Sequence, residues 1–417
     1  MMRRLRHLSR SVASFAEKKH LAILSSVVGL VVVCGILYSF LLGNNLRYPD
    51  EHGYYQVAIN LATQQIYSSD GQHPTAFQPP GYPLLLWLGV QLGAGIVDLR
   101  AVNFVVLALS VILLYLFLKR EYGVVAGVAG PILLFFYPVL FYAAGTLYPQ
   151  TLGAFLFLVL LFGLTDRRFH TAGHGALLGL ASGCLILTIP SFAVQLVILA
   201  LWVWFRRRAA RFILVLFSTV CIVLGIWTVR NYIVFDSVFF VSTNAGINLL
   251  RGNSEHTEPN SGVNVDISEY DIGAVELNEV NRDIYYRSRA LDYVRENKTR
   301  SVLLYFRKVL NYFNFSNELW VTSEGSFEKD AAMLVTYGTL LVFVLLRFLL
   351  FRRYQVTDLE KLLFFLYVSN AFVQAIFFTR IRLRLPFDFL LISLAAAFVA
   401  RLLKPSDLSL GKARVAE

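Results

Sequence analysis

Long apolar runs separated by short polar connectors dominate the chain, and their lengths predict its architecture. A helix needs about 20 consecutive apolar residues to cross a bilayer. Runs of that kind fall at roughly 21–43, 101–118, 123–143, 150–165, 174–189, 190–205, 211–233, 330–351, 357–378 and 383–402. The first is too long for a cleaved signal peptide and lacks a small-residue cleavage site. A shorter run, Tyr82–Ile96, opens with Pro79-Pro80-Gly81-Tyr82-Pro83 and suits a helix lying in the membrane interface. The pattern predicts an all-α integral membrane protein: a bundle of about ten transmembrane helices, interfacial helices in the first outer loop, and one larger outer loop.

Composition agrees with that pattern. Of 417 residues, 57% are hydrophobic and 16% charged, against about 25% charged in soluble domains. A soluble protein so composed would leave large apolar patches in water, and a disordered one needs the opposite balance. The net charge of +11 is weak evidence for nucleic acid, because basic residues of membrane proteins gather in cytoplasmic loops; no nucleic-acid partner is expected. With ten spans and 82–96 left outside, the inner segments carry 22 of the 38 Lys and Arg, while the short outer loops at 144–149 and near Thr188 carry none. An eleventh span at 82–96 would push those basic loops outside. The expected topology is therefore multi-pass with both termini in the cytoplasm. Three regions follow: a bundle at 1–233 with a first outer loop at 44–100, an outer loop region at 234–329, and C-terminal spans with a tail at 330–417. The 234–329 region mixes 10 basic with 14 acidic residues. It holds helix-like spacing at Glu276–Glu296 and at Thr299–Phe313, where Leu303, Leu304, Phe306, Leu310 and Phe313 fall mostly on one side.

Three stretches carry candidate chemistry. Asp50 and Glu51 are adjacent carboxylates just past the first span, ahead of helix-like Tyr54–Gln64; Asp50 also reads as an N-cap and Glu51 as a complement to the helix dipole. In Thr379-Arg380-Ile381-Arg382-Leu383-Arg384 three arginines alternate with apolar residues at an outer boundary. In an extended segment alternate residues share a side, so the three guanidiniums would converge. Arginine suits phosphate through bidentate bonds, although snorkelling to lipid headgroups explains the same pattern. Arg230, in Trp227-Thr228-Val229-Arg230-Asn231-Tyr232, is another cation at the outer end of a span. The following Asn- and Gly-rich stretch from Val241 to Asn253 could present amides to a sugar, or simply form turns. The histidines share no metal-ligand spacing, Cys34, Cys184 and Cys221 lie inside apolar runs, and nucleotide or triad motifs are absent. No cofactor and no metal site are expected.

Together these stretches resemble the GT-C glycosyltransferases, in particular glycosyltransferase family 39, the protein O-mannosyltransferase and aminoarabinose-transferase group with its bacterial relatives. The similar parts are Tyr48-Pro-Asp-Glu-x-x-Tyr-Tyr, Gln78-Pro-Pro-Gly-Tyr-Pro, Trp227-x-x-Arg-Asn-Tyr, Ser242-Thr-Asn-x-Gly-x-Asn-Leu with Gly252-Asn253, Ala290-Leu-x-Tyr-x-x-Glu-Asn and Arg382-x-Arg-Leu-Pro-x-Asp. The resemblance implies a plasma-membrane enzyme that moves a sugar from a polyprenyl-phosphate donor to a hydroxyl of a lipid, glycan or protein acceptor on the outer face, with inversion. It matches Asp50 to the family's catalytic aspartate and Glu51 to its neighbour, and sets the segment of Arg382 and Arg384 near the lipid-phosphate site; as cations at expected outer boundaries, Arg230 and Arg380 join them as candidates for the donor phosphate. Tyr54, Tyr55, Asn244 and Asn248 would bind substrate. Many relatives carry an acidic residue in the second outer loop, where this chain reads Thr146-Leu147-Tyr148-Pro149-Gln150-Thr151. That departure argues against a second carboxylate or a metal there. The rival readings are a flippase or other transporter, which would place polar residues midway along spans, and an O-antigen polymerase or ligase, against which the Asp-Glu pair argues.

Overall fold

The computed structural model describes residues 2–316 and 327–403. Each apolar run lies in a helix: α1 (Met2–Leu42), α4 (Ile96–Tyr122), α5 (Val124–Phe135), α6 (Pro138–Ala144), α7 (Gln150–Thr165), α8 (Ala172–Thr188), α9 (Phe192–Arg207), α10 (Ala210–Phe235), α15 (Phe327–Leu349), α16 (Asp358–Ala375) and α17 (Ile381–Leu403). Among the described residues five stretches are long and apolar enough to cross a membrane, namely Ser11–Leu42 of α1 and all of α4, α10, α15 and α17. A sixth would be α5 with α6, one run in the sequence that bends by 65° where Pro138 opens α6; proline cannot continue the i→i−4 ladder. α7 and α8 are apolar but shorter. The protein is thus an all-α, multi-pass membrane protein, and ten spans remain a proposal.

α17 is the axis of the bundle. From Arg384 to Ala400 all but one of its residues are buried, against α5, α7, α15 and α16. Its Ala395-Ala396-Ala397 run lets neighbours approach closely, as small residues do between membrane helices. At its far end the buried Glu360 carboxylate accepts from Arg347 at 2.6 and 2.9 Å and from Arg401 at 2.8 Å. One ionic cluster therefore joins α15, α16 and α17.

A second layer comes from the two polar regions. α2 (Pro49–Gln64) and α3 (Gly81–Gln91) pack on each other over Ala58, Tyr82, Leu86, Leu99 and Leu147. α3 ends before α4 begins, so the 82–96 run forms a short helix of its own. α11 (Ala245–Gly252), α12 (Ser268–Ile272), α13 (Glu279–Glu296) and α14 (Lys298–Asn311) form the second part, with Leu250, Val265, Ile267, Tyr286 and Ala290 as a small core. α13 starts three residues later than its periodicity suggests because the Asn278 side chain caps it, accepting from the Asn281 amide at 2.9 Å. The two parts are tied together by Glu279, which accepts from Thr75 Oγ1 at 2.6 Å, the Ala76 amide at 2.8 Å and Thr243 Oγ1 at 2.5 Å. Among the described residues the only β pairing is an isolated bridge, Ser68 to Pro74, in the first loop.

Candidate active site

The first turn of α2 sets the geometry. Tyr48 is the N-cap with extended backbone, Pro49 takes the first helical position, and Glu51 the third; proline's fixed φ favours that place. Capping thus falls to Glu51 instead of Asp50. Its Oε2 accepts from the Arg47 and Tyr48 amides at 2.9 and 3.2 Å, and its Oε1 from the Leu147 amide at 2.8 Å. Buried at 1% exposure, it also faces Arg100 at 3.7 Å. Arg100 in turn donates to the carbonyls of Gly43 and Asn45. Glu51 therefore fastens the start of α2 to the segment between α6 and α7, and its oxygens are occupied.

Asp50, freed from capping, turns toward the start of α17. Its Oδ2 accepts from Arg382 at 2.5 Å, with the two side chains 44% and 31% exposed. Arg382 lies over the Tyr148 ring at 5.2 Å. Tyr148 packs against Tyr48 and Tyr54, and Tyr54 edge-on against Tyr82. Burial, then the Asp50 charge, push the Tyr54 hydroxyl well above its ordinary pKa, with Arg382 opposing; it stays a proton donor. Tyr55 is half-buried and packs on the α2–α3 core. Asp50, Arg382, Tyr54 and Tyr148 thus meet at one half-open place.

The arginine segment does not run extended. It is helical from Ile381, and at 100° per residue Arg382 and Arg384 diverge by about 200°. Arg384 enters the bundle, fully buried. It pairs with Asp388 at 3.2 Å, donates at 2.7 Å to both the Tyr312 and Asn314 carbonyls, and lies 3.7 Å from the Tyr337 ring centre. Arg380 precedes the helix and donates to Asn264 Oδ1 at 2.7 Å. Arg230 donates to the Thr75 carbonyl at 3.0 Å and stacks on Trp227 and Tyr67, which binds α10 to the first loop. The expected convergence of cations thus reduces to Arg382 beside Asp50.

A cavity of about 370 Å³ opens between the first loop and α13 instead of over Asp50; its wall includes Asp70, His73, Phe77, Thr243, Glu279 and Tyr286. Asn244 and Asn248 flank this wall on α11's first turn, the Asn248 amide bonding the Asn244 carbonyl at 3.2 Å, and Asn244 Oδ1 accepting from Ser242. Among the described residues no group of three or more His, Cys, Asp or Glu is placed to hold a metal. Sequence reasoning passed over Arg100 and Arg251. Arg100 is a cation at one end of an apolar run, the same kind of position that singled out Arg230, whereas Arg251's setting depends on contacts distant in sequence.

No curated protein matches the chain in sequence. Among the solved structures that resemble it are ArnT from Cupriavidus metallidurans bound to undecaprenyl phosphate (12% identity, 90% of this chain and 77% of that one, TM-score 0.44), and the same protein in the apo state (12%, 91%, 77%, 0.42). Residues 70–261 match the family model of the Alg9-like mannosyltransferases, a stretch that includes Arg230, Asn244 and Asn248 but neither Asp50 nor Arg382. By this match and by its motifs the chain is similar to the GT-C glycosyltransferases.

Proposed function

We propose that the protein is a membrane glycosyltransferase that moves a sugar from a polyprenyl-phosphate donor to an acceptor hydroxyl at the outer face, with inversion. The observation that carries this reading is the Asp50–Arg382 pair, a half-exposed carboxylate and guanidinium where the first outer loop meets α17. Similarity to mannosyltransferases over residues 70–261 supports a hexose as the transferred group. Arg382 occupies Oδ2 of Asp50 and leaves Oδ1 to take the proton of the acceptor hydroxyl. The acceptor oxygen then bonds to the anomeric carbon while the bond from that carbon to the phosphate oxygen breaks, its electron pair leaving with the lipid phosphate. General-base help of this kind contributes roughly 10²–10⁴-fold. A guanidinium in a partly dry setting stabilises the charge growing on the phosphate. Glu51 is a positioning residue in this scheme, because it holds the turn that aims Asp50.

The test is Asp50→Asn in nanodiscs. Asparagine keeps an oxygen for Arg382 but cannot take a proton. With polyprenyl-phosphate hexoses as donors, cell-envelope lipids and glycans as acceptors, and lipid release followed by mass spectrometry, turnover falls roughly 10²-fold or more while donor affinity stays within a few-fold. Near-normal turnover would overturn the assignment. Orientation is checked by cysteine labelling: positions 69 and 268 react in intact cells, and position 353 only after permeabilisation.

A further inference from the structure

The arginines that the motifs nominate for the donor phosphate are already engaged: Arg230 by carbonyls, Arg380 by Asn264, Arg382 by Asp50, and Arg384 by Asp388 and two carbonyls. Arg251 differs. Among the described residues its side chain makes no hydrogen bond and no ion pair, and its Nε is buried with no partner. A guanidinium carries five N–H donors, and leaving buried donors empty is unfavourable.

Its backbone is tightly held. The Arg251 carbonyl accepts from Thr257 Oγ1 at 3.1 Å. The next residue, Gly252, lies so close to the Phe377 carbonyl that a Cβ would collide with it. The Gly252 carbonyl accepts from Lys308 Nζ at 2.8 Å, and Asn253 Nδ2 donates to the Ile376 carbonyl at 2.8 Å. The last turn of α11 is therefore joined to the segment that leads into α17 and Arg382. Burial pushes the Arg251 pKa below its ordinary value, while the charges of Asp271, then Asp50, then Tyr286 act against this.

We infer that Arg251 is the open half of a phosphate site, binding the anionic headgroup of a lipid-linked phosphate from the α11 side while Arg382 approaches from α17. This rests on the donor class proposed above. A phosphate supplies the acceptors that the guanidinium lacks, and arginine's planar fork suits two of its oxygens at once. As the bond to the anomeric carbon breaks, the electron pair arrives on an oxygen of that phosphate. The proton released by the acceptor ends on Asp50, so the two cations face the leaving group and the carboxylate faces the nucleophile.

The test measures binding to the full-length protein in nanodiscs with three probes: a polyprenyl phosphate, the matching polyprenol, and inorganic phosphate as competitor. Wild type binds the phosphate lipid more tightly than the polyprenol, and inorganic phosphate does not displace it at equal concentration. Arg251→Gln weakens the phosphate lipid about tenfold or more and leaves the polyprenol unchanged. Arg251→Lys falls between, because the ammonium lacks the fork, whereas Arg307→Gln on the exposed face of α14 behaves as wild type. Thermal unfolding is recorded for each variant. If Arg251→Gln does not fold, Arg251→Lys decides, and wild-type affinity in it overturns the inference. If Arg251→Gln folds and binds phosphate lipid as wild type does, while wild type still discriminates against polyprenol, the inference fails and the donor class stands. Equal binding of the two lipids by wild type removes the donor class, and this inference with it. Displacement by inorganic phosphate at equal concentration assigns Arg251 to a soluble anion and overturns the lipid-linked reading.

Discussion

Arg382 and Arg384 stand two residues apart on α17, yet one pairs with Asp50 at a half-exposed place and the other with Asp388 inside the bundle. The helix turns them to opposite sides, so substitutions at the two positions separate function from folding. Arg384→Gln leaves Asp388 buried with only Tyr137 and Tyr367 as partners. Breaking a buried pair in this way costs about 3–5 kcal/mol, read as a lower unfolding temperature and yield in detergent. Arg382→Lys folds as wild type does but turns over donor more slowly, because an ammonium lacks the fork with which a guanidinium can hold Asp50 and a phosphate oxygen at once. Equal effects of the two changes on unfolding temperature would refute this division.

Glu51→Gln tests the fastening of the loops. One carboxylate oxygen becomes an NH₂ aimed at amide donors, and Arg100 loses its counter-charge. A buried donor without an acceptor costs about 1–3 kcal/mol, so the variant is destabilised while Asp50 itself is intact. Amide hydrogen exchange at Leu147 and Tyr48 speeds up, and turnover falls because the first turn of α2 loosens. Unchanged exchange at both amides would show that Glu51 is not the clamp.

Lys308 gives a pH signature. It is fully buried, and its ammonium donates to the Gly252 and Phe377 carbonyls at 2.8 Å and to Asn253 Oδ1 at 3.2 Å, with no carboxylate among these partners. Burial pushes its pKa down to about 7, whereas an unfolded lysine titrates near about 10.4. Between those values the unfolded chain holds a proton that the folded chain has released. Stability therefore rises with pH from about 7 to about 10, at up to about 1.4 kcal/mol per unit, and Lys308 adds no slope below pH 7. Unfolding measured over that range shows a shallower rise in Lys308→Met than in wild type. Identical slopes would exclude the assignment.

Among the described residues, apolar length and periodicity located the long helices and both amphipathic helices of the 234–329 region, because burial on one face leaves its mark on neighbouring residues. Local chemistry was harder to read. Pro49 at the first helical position and Glu51 two residues later were a visible capping signal, but adjacency drew Asp50 and Glu51 together as one functional pair. The structure separates them into a surface carboxylate and a buried clamp. The alternation of arginines suggested an extended strand-like segment. Yet the helix that follows begins at Ile381, and its packing into the bundle decides the conformation. Asp50 and Arg382 are 332 positions apart, and no local pattern reports such a contact. Arg251 was in view within the Asn- and Gly-rich stretch, but a missing partner leaves no trace in sequence.

The ion pairs on α17 also bear on how this helix tolerates changes in length. Arg384 is committed to Tyr312 and Asn314 near one end, and Arg401 to Glu360 and the Gln355 carbonyl at the other. One residue inserted between them turns the two ends by about 100° relative to each other and shifts them by about 1.5 Å. Either Arg401 then leaves its cluster or Arg382 swings away from Asp50. A segment grafted from a related protein into 385–400 must therefore match residue for residue in number, even where its side chains differ freely.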